Sequence, residues 1–513
     1  MESSSSFSFD VVESETMLKA IFLPFISKSH LLFVVDMARL FAMHNVDVTI
    51  ITTPANATLF QTSIDRDSSR GRAIRTHLVK FPQIPGLPHG VEIIDVDTAN
   101  DFQELLLQGL FLLKENFQQL IRDMKPDFIV TDMFYPWSVD VAAELGIPRL
   151  NCTGGSYFSH AARNSIEQFA PHVNVGSDYE TFLLPGLPHK VEMTRSQLSD
   201  WVKEPNNKFG YWLKMIIDAD TKSYGSLFRS FYELEGTYEE HYQRVTRTKS
   251  WSLGPVSIWV NQDDFDKANR GKRAKEEEED DNGNGVLKWL DSKKENSVVY
   301  VSFGSMNKFP ISQHIEIAHA HEDSGYDFIW VVRKTTEEGG EENGTILEEF
   351  EKRVKESNKG YLIWGWAPQL VILEHSAIGA VVTHCGWNTT LESVYAGLPM
   401  VTWPLFAEQF YNEKLLVDVL KIGVSVGAKK WKNLNEYGED NAVKKEDIGK
   451  AITLLMGGGD ECLEIRKKVK EFSDAAKKTI KVGGSSHTNL KQLLQELKSF
   501  KHQKANHQME GQV

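Results

Sequence analysis

Cysteine is scarce in this chain. Three residues, Cys152, Cys385 and Cys462, lie far apart among 513, and an odd, dispersed set spells neither a disulfide framework nor a zinc site. A reducing compartment fits best. Long apolar runs are missing as well: no uninterrupted stretch approaches the ~20 residues needed to cross a bilayer, so no membrane span is expected. The first 18 residues hold no apolar run, no lysine and no arginine, which excludes a secretory or transit signal and reads as a disordered tail of a cytoplasmic protein. Basic excess is also absent. The 57 Lys+Arg against 71 Asp+Glu leave a net charge of −14, which supplies no electrostatic footprint for nucleic acid or anionic lipid. Apolar side chain is present in ordinary measure, 41% against 25% charged, enough to fill the two or three cores that the length predicts.

From Lys19 the pattern is β-α-β: an apolar run Ala20–Phe25, a mostly apolar helical stretch from about Leu31 to Met43, then VDVTIITTP from Val46 to Pro54. A strand, a crossover helix and a β-branched strand in such close succession form the unit of a parallel sheet. The theme returns at Pro126–Asp132, Gly146–Cys152 and around Tyr224–Phe231, making residues 19–260 one doubly wound α/β domain. From 261 to 285 the composition turns polar, with six consecutive acids at Glu276–Asp281. Like charges extend a chain, so this is read as a linker or exposed loop. Alternation resumes at Ser297–Ser305, Asp327–Lys334, Gly360–Trp364, Gly379–Gly386 and Leu398–Pro404, giving a second parallel domain over 286–482. Residues 483–513 are assigned to a helix and tail that return to the first domain, the helical pattern running over Thr488–Phe500 and the last dozen residues fraying. Two such domains imply a ligand cleft between them at the carboxyl ends of the strands.

The densest signal is WAPQLVILEHSAIGAVVTHCGWNTTLESVYAGLPMVTWPLFAEQ, from Trp366 to Gln409. Here the strand Gly379–Thr383 gives way to His384-Cys385-Gly386-Trp387-Asn388-Thr389 and a helix. A helix start offers unpaired N–H groups and a positive dipole end to an anion, which suits a diphosphate, with Gly386 allowing close backbone approach. Taken alone, Asn388 or Thr389 serves equally well as a plain helix cap. The company of Glu392 one turn on, and of Glu408-Gln409 after the next strand, favours a nucleotide and a sugar.

This stretch of 44 residues resembles the signature box of plant family-one UDP-sugar glycosyltransferases, in length and at almost every diagnostic position. The likeness extends from Lys19 to about Phe500, and through VSFGSMNKFP and KSYGSLFRSFYELEGTYEEHY it is greatest toward the legume triterpenoid-saponin sugar transferases of soyasaponin and glycyrrhizin type. It implies a GT-B fold, two Rossmann-like domains facing across a cleft. It also implies that Trp366 stacks on uracil with Ala367 and Gln369 beside it. Ser305, His384, Gly386, Trp387, Asn388 and Thr389 would surround the diphosphate, Glu392 would hold the ribose, and Glu408 and Gln409 the sugar. Thr389 stands where relatives usually carry Ser, and the hydroxyl is kept.

His30 follows the first strand, where a doubly wound domain points functional groups into its cleft. An imidazole titrating near neutrality suits a general base, and the resemblance places the catalytic His here. It makes Asp132, at the end of Phe128–Thr131, the partner that orients His30, although a plain N-cap role is open to it. The family's His-x-x-Pro reads His30-Leu31-Leu32-Phe33, so Phe33 alters the acceptor side. Phe134, Trp137, Tyr157 and Phe158 are candidate acceptor-pocket lining. His321 replaces an apolar residue of relatives and reads as a stability liability.

The mechanism so implied is inverting displacement by an acceptor hydroxyl, without protein nucleophile, cofactor or metal, in a monomer. The UDP-sugar is a co-substrate. The resemblance makes Gln409 point to UDP-glucose first, since Gln at the end of the box usually accompanies glucose and His galactose, an amide being able to donate to one hydroxyl and accept from its neighbour. UDP-galactose comes second and UDP-glucuronate third, because Phe33 near the cleft supplies no cation for a carboxylate. The expected acceptor is a small apolar molecule, a triterpenoid or its glycoside, with a flavonoid or other phenolic as the alternative. A metal-dependent transferase is the rival enzyme class, on the D-x-D triplets at Asp95, Asp218 and Asp264. A nucleotide-sugar-binding protein without turnover is the rival outside enzymes. A dehydrogenase is disfavoured, since FLPFISKSH lacks the glycines of a dinucleotide turn.

Overall fold

The structure, a computed structural model, describes residues 17–96, 98, 101–272, 284–307, 309–333, 341–432 and 442–510. Most of the expected N-terminal tail, the acid run Glu276–Asp281 and the last three residues lie outside them. The strands, in chain order, are β1 (Leu18–Leu23), β2 (Val46–Thr52), β3 (Ile74–Leu78), β4 (Phe128–Asp132), β5 (Arg149–Cys152), β6 (Thr181–Leu183), β7 (Glu192–Thr194), β8 (Gly225–Phe228) and β9 (Ser250–Ser252). They are followed by β10 (Val298–Ser302), β11 (Asp327–Val332), β12 (Gly360–Trp364), β13 (Ile378–Thr383), β14 (Met400–Thr402) and β15 (Gly423–Ser425).

Two parallel sheets result, ordered β3-β2-β1-β4-β5-β8-β9 and β12-β11-β10-β13-β14-β15, with β6 and β7 as a separate antiparallel pair. Valine- and isoleucine-rich runs such as VVYVS in β10 are buried along their whole length, as strands covered on both faces must be. In each sheet the order reverses beside the first strand, at β1/β4 and at β10/β13. Side chains at the carboxyl ends of those four strands face the gap that opens there. The fold is GT-B.

The stretch 261–285 is not wholly a loop. Asn261 is fully buried, Asp264–Asn269 is a helix, and Asp263 and Asp266 receive hydrogen bonds from Arg66 and Arg70. Arg39, itself buried, bonds to Asp67 at 2.6 Å and to Asn261. Asp263 and Asp266 are thus compensated by arginines of the first sheet's helices, and the reading of the acid run Glu276–Asp281 lies outside the described residues. The last helix, Ser485–Glu510, is longer than its apolar pattern and includes the described part, 502–510, of the stretch expected to fray. Lys501 bonds to Asp127, Lys504 to the carbonyl of Leu145, and Leu490, Leu493, Leu494 and Leu497 join the core around β1 and β9.

His321 lies in the helix Ile311–Ser324, 2% exposed, with neither ring nitrogen hydrogen-bonded and its face on Phe328 at 4.5 Å. Burial pushes its pKa down from 6.5 to about 3. Between those values the unfolded chain takes a proton that the folded chain refuses, so stability falls as pH drops below 6.5, by roughly 1 kcal/mol per pH unit. His321→Leu is expected to raise stability by about 1–3 kcal/mol at pH 7 and by more at pH 5. Urea melts at both pH values measure this; unchanged midpoints would show that the imidazole costs nothing there.

Candidate active site

Adjacent strands β1 and β4 bring His30 and Asp132 together across a gap of 102 residues. His30 Nδ1 bonds to Asp132 Oδ2 at 2.8 Å, and the other carboxylate oxygen accepts from Phe134 N at 3.0 Å. Asp132 is fully buried, whereas 22% of the His30 side chain is exposed, into the cleft. A carboxylate on Nδ1 holds the proton there and leaves Nε2 as a free acceptor. A Cβ on Gly154 would stand 3.0 Å from the ring, close enough that the imidazole would have to shift by a few tenths of an ångström.

The second sheet supplies the facing wall. Helix Trp387–Ala396 is capped by Gly386, with no side-chain cap and no acid in its first turn. The helix-cap reading of Asn388 and Thr389 therefore does not hold, and the first N–H groups point into the cleft without an internal competitor. His384 is wedged between two glycines: a Cβ at Gly304 or Gly386 would stand 2.6 or 2.5 Å from its Nε2. Gly386 thus makes room for His384. Burial lowers the His384 pKa to about 4, so near neutral pH the ring is an uncharged hydrogen-bond donor. Cys385 takes a left-handed φ of 65°, and Asn412, which also accepts from Ser156 of the first sheet's side, donates to the Cys385 carbonyl.

Ser305, Trp366, Ala367, Gln369, His384, Gly386, Trp387, Asn388, Thr389, Glu392, Glu408 and Gln409 all line one cleft, opposite His30 and Phe33. Glu392 is buried and Glu408 half-buried, and desolvation raises both carboxyls above the usual range. Gln369 donates to Glu392 at 2.6 Å and accepts from Tyr300. Gln409 departs from its expected part. Its carbonyl accepts from the N–H groups of Leu405 and Phe406, at 2.9 and 3.0 Å, so only its NH2 remains for a sugar and the two-way reading of hydroxyl pairs is lost.

The family model described as "UDP-glucoronosyl and UDP-glucosyl transferase" matches residues 99–446. The chain belongs to this family. It is 61% identical over 485 residues to the soyasapogenol B glucuronide galactosyltransferase of Glycine max, covering 94% of this chain and 96% of that one. It is 44% identical over 481 residues to the scopoletin glucosyltransferase of Nicotiana tabacum, covering 93% and 98%. Among solved structures, UGT73P12 of Glycyrrhiza uralensis, complexed with glycyrrhetinic acid 3-O-monoglucuronide, superposes with a TM-score of 0.93 at 67% identity, covering 97% of this chain and 99% of that one. The protein is a UDP-glycosyltransferase.

Two of the transferase's proposed acceptor residues are core. Tyr157 and Phe158 are fully buried, Tyr157 stacked on Phe228 at 3.7 Å and Phe158 against Tyr238. Trp137 packs on Phe117 and Tyr135. Phe134 alone stays beside the base, 5.0 Å from the His30 ring, grouped with Phe25 and Trp212. Phe33 lies 5.1 Å from His30 and carries the guanidinium of Arg229 over its face at 4.0 Å.

Two arginines at the site are not singled out in the sequence. Arg270, from the stretch read as linker, pairs with Asp36 at 2.7 Å and Glu392 at 3.3 Å. Its carbonyl accepts from the indole N–H of Trp366. Arg229, just after β8, also lines the cleft. No periodicity or spacing marks either.

Proposed function

We propose that the enzyme transfers a hexose from a UDP-sugar to a hydroxyl of a triterpenoid aglycone or glycoside, a monoglucuronide above all, with inversion at the anomeric carbon. The carrying observation is the likeness to two proteins whose names or bound ligands are triterpenoid glucuronides, at 61% and 67% identity over nearly the whole chain. The aromatic group Phe25, Phe134 and Trp212 beside His30 suits an apolar acceptor. In this reading His30 Nε2 removes the acceptor hydroxyl proton, the oxygen attacks the anomeric carbon opposite UDP, and the bond to the β-phosphate oxygen breaks. Asp132 steadies the imidazolium that forms. The uncapped helix at Trp387 and the neutral His384 meet the charge growing on the diphosphate. Mass-detected assays decide it: UDP-glucose, UDP-galactose and UDP-glucuronate against triterpenoid aglycones, their monoglucuronides and a flavonol. Turnover of the flavonol alone would overturn the acceptor class, and no turnover with any pair would favour a binding protein.

Metal independence is part of the proposal. Asp220 is drawn to Arg149 at 3.2 Å and Asp266 to Arg66 and Arg70, so two of the D-x-D triplets spend a carboxylate on structural pairs. Activity is expected to survive dialysis against EDTA within twofold. Complete loss that manganese or magnesium restores would favour the metal-dependent class.

A further inference from the structure

Arg229 is a buried cation in the middle of the cleft without an anionic partner. It is 4% exposed, and its NH groups donate to two neutral oxygens, Asn388 Oδ1 and the Gly154 carbonyl. Its Nε–H, also buried, has no acceptor. Among the described residues no carboxylate forms an ion pair with it, and Glu408 and Asp132 act only at longer range. Burial lowers its pKa to about 10, so it remains charged near neutrality. A buried charge without a counter-charge is costly and is kept where a ligand supplies one. The guanidinium touches the helix that faces the donor, the Gly154 loop that seats His30, and the ring of Phe33. In the glycosyl-transfer reading that is where the two substrates would meet.

We propose that Arg229 binds the carboxylate of a hexuronic acid at the point of transfer, either the sugar of the donor or the sugar already carried by the acceptor. A guanidinium pairs a planar carboxylate in two parallel hydrogen bonds, and no neutral hexose offers that group. The proposal rests on the glycosyl-transfer reading above, and binding measurements separate its fate from that reading.

The test is calorimetric affinity of wild type, Arg229→Gln and Arg229→Lys for two pairs of ligands: UDP-glucuronate with UDP-glucose, and a triterpenoid monoglucuronide with its methyl ester. Wild type is expected to prefer the acid at least tenfold in one pair, and that pair names the source. Arg229→Gln should erase the preference while changing the neutral member less than threefold, and Arg229→Lys should restore part of it. Wild type that distinguishes neither pair overturns the proposal without any variant. Equal weakening of both members, together with weaker binding of UDP alone, overturns it in favour of a diphosphate contact. Absence of turnover with every donor and acceptor sinks the function reading and leaves these affinities to decide Arg229 by themselves.

Discussion

His30→Ala is expected to lower the rate of sugar transfer at least a hundredfold while UDP affinity stays within threefold of wild type. A general base contributes typically 10²–10⁴-fold, and the rings that surround His30, Phe25, Phe33 and Phe134, carry no group that could take its part. The groups assigned to UDP come from the second sheet and do not hydrogen-bond to His30, so donor binding has no reason to fail. Single-turnover rates and UDP titrations on the same preparation measure both halves. A variant keeping more than about a hundredth of wild-type activity removes His30 from the chemistry.

Asp132→Asn is the more discriminating change, because it keeps shape and reverses one hydrogen bond. Oδ1 of the carboxylate accepts from Phe134 N. An amide must keep its carbonyl on that N–H, which turns its NH2 toward His30 Nδ1. That nitrogen then becomes an acceptor, the ring proton moves to Nε2, and the base is occupied. A loss of roughly 10²–10⁴-fold in kcat is expected, with the donor KM little changed and the thermal midpoint nearly preserved. Loss through unfolding, seen as a fallen midpoint, or a rate near wild type would each show that Asp132 does not act by fixing the tautomer.

What the sequence disclosed and what it hid follow from how far apart the interacting groups are. Nearly every proposed donor residue falls in one run of 44, where strand, turn and helix are set by near neighbours. His30 and Asp132 are distant in the chain, but Asp132 ends β4 and His30 opens the helix that follows β1, and a doubly wound sheet places such strand ends and helix starts side by side. The errors lie where burial depends on remote partners. Tyr157 and Phe158 are apolar residues on a helix near a strand end, and only the arrival of Phe228 and Tyr238 makes them core. Asp263 and Asp266 meet arginines about 200 residues away. Arg229 becomes a cleft residue only because the two sheets face each other, bringing it to Asn388 across 159 positions.

The last helix sets an order of events during synthesis. Its leucines close a core shared with Trp251 and Leu253, yet Leu490 is made 238 residues after Ser252, the end of β9 (490 − 252). At roughly 5–20 residues per second, that edge of the first sheet waits on the order of ten to fifty seconds, while the entire second sheet is translated. The half of the molecule that begins first is thus completed last. Its uncovered tryptophan face is what a nascent chain stalled before residue 490 would present to chaperones and to other chains.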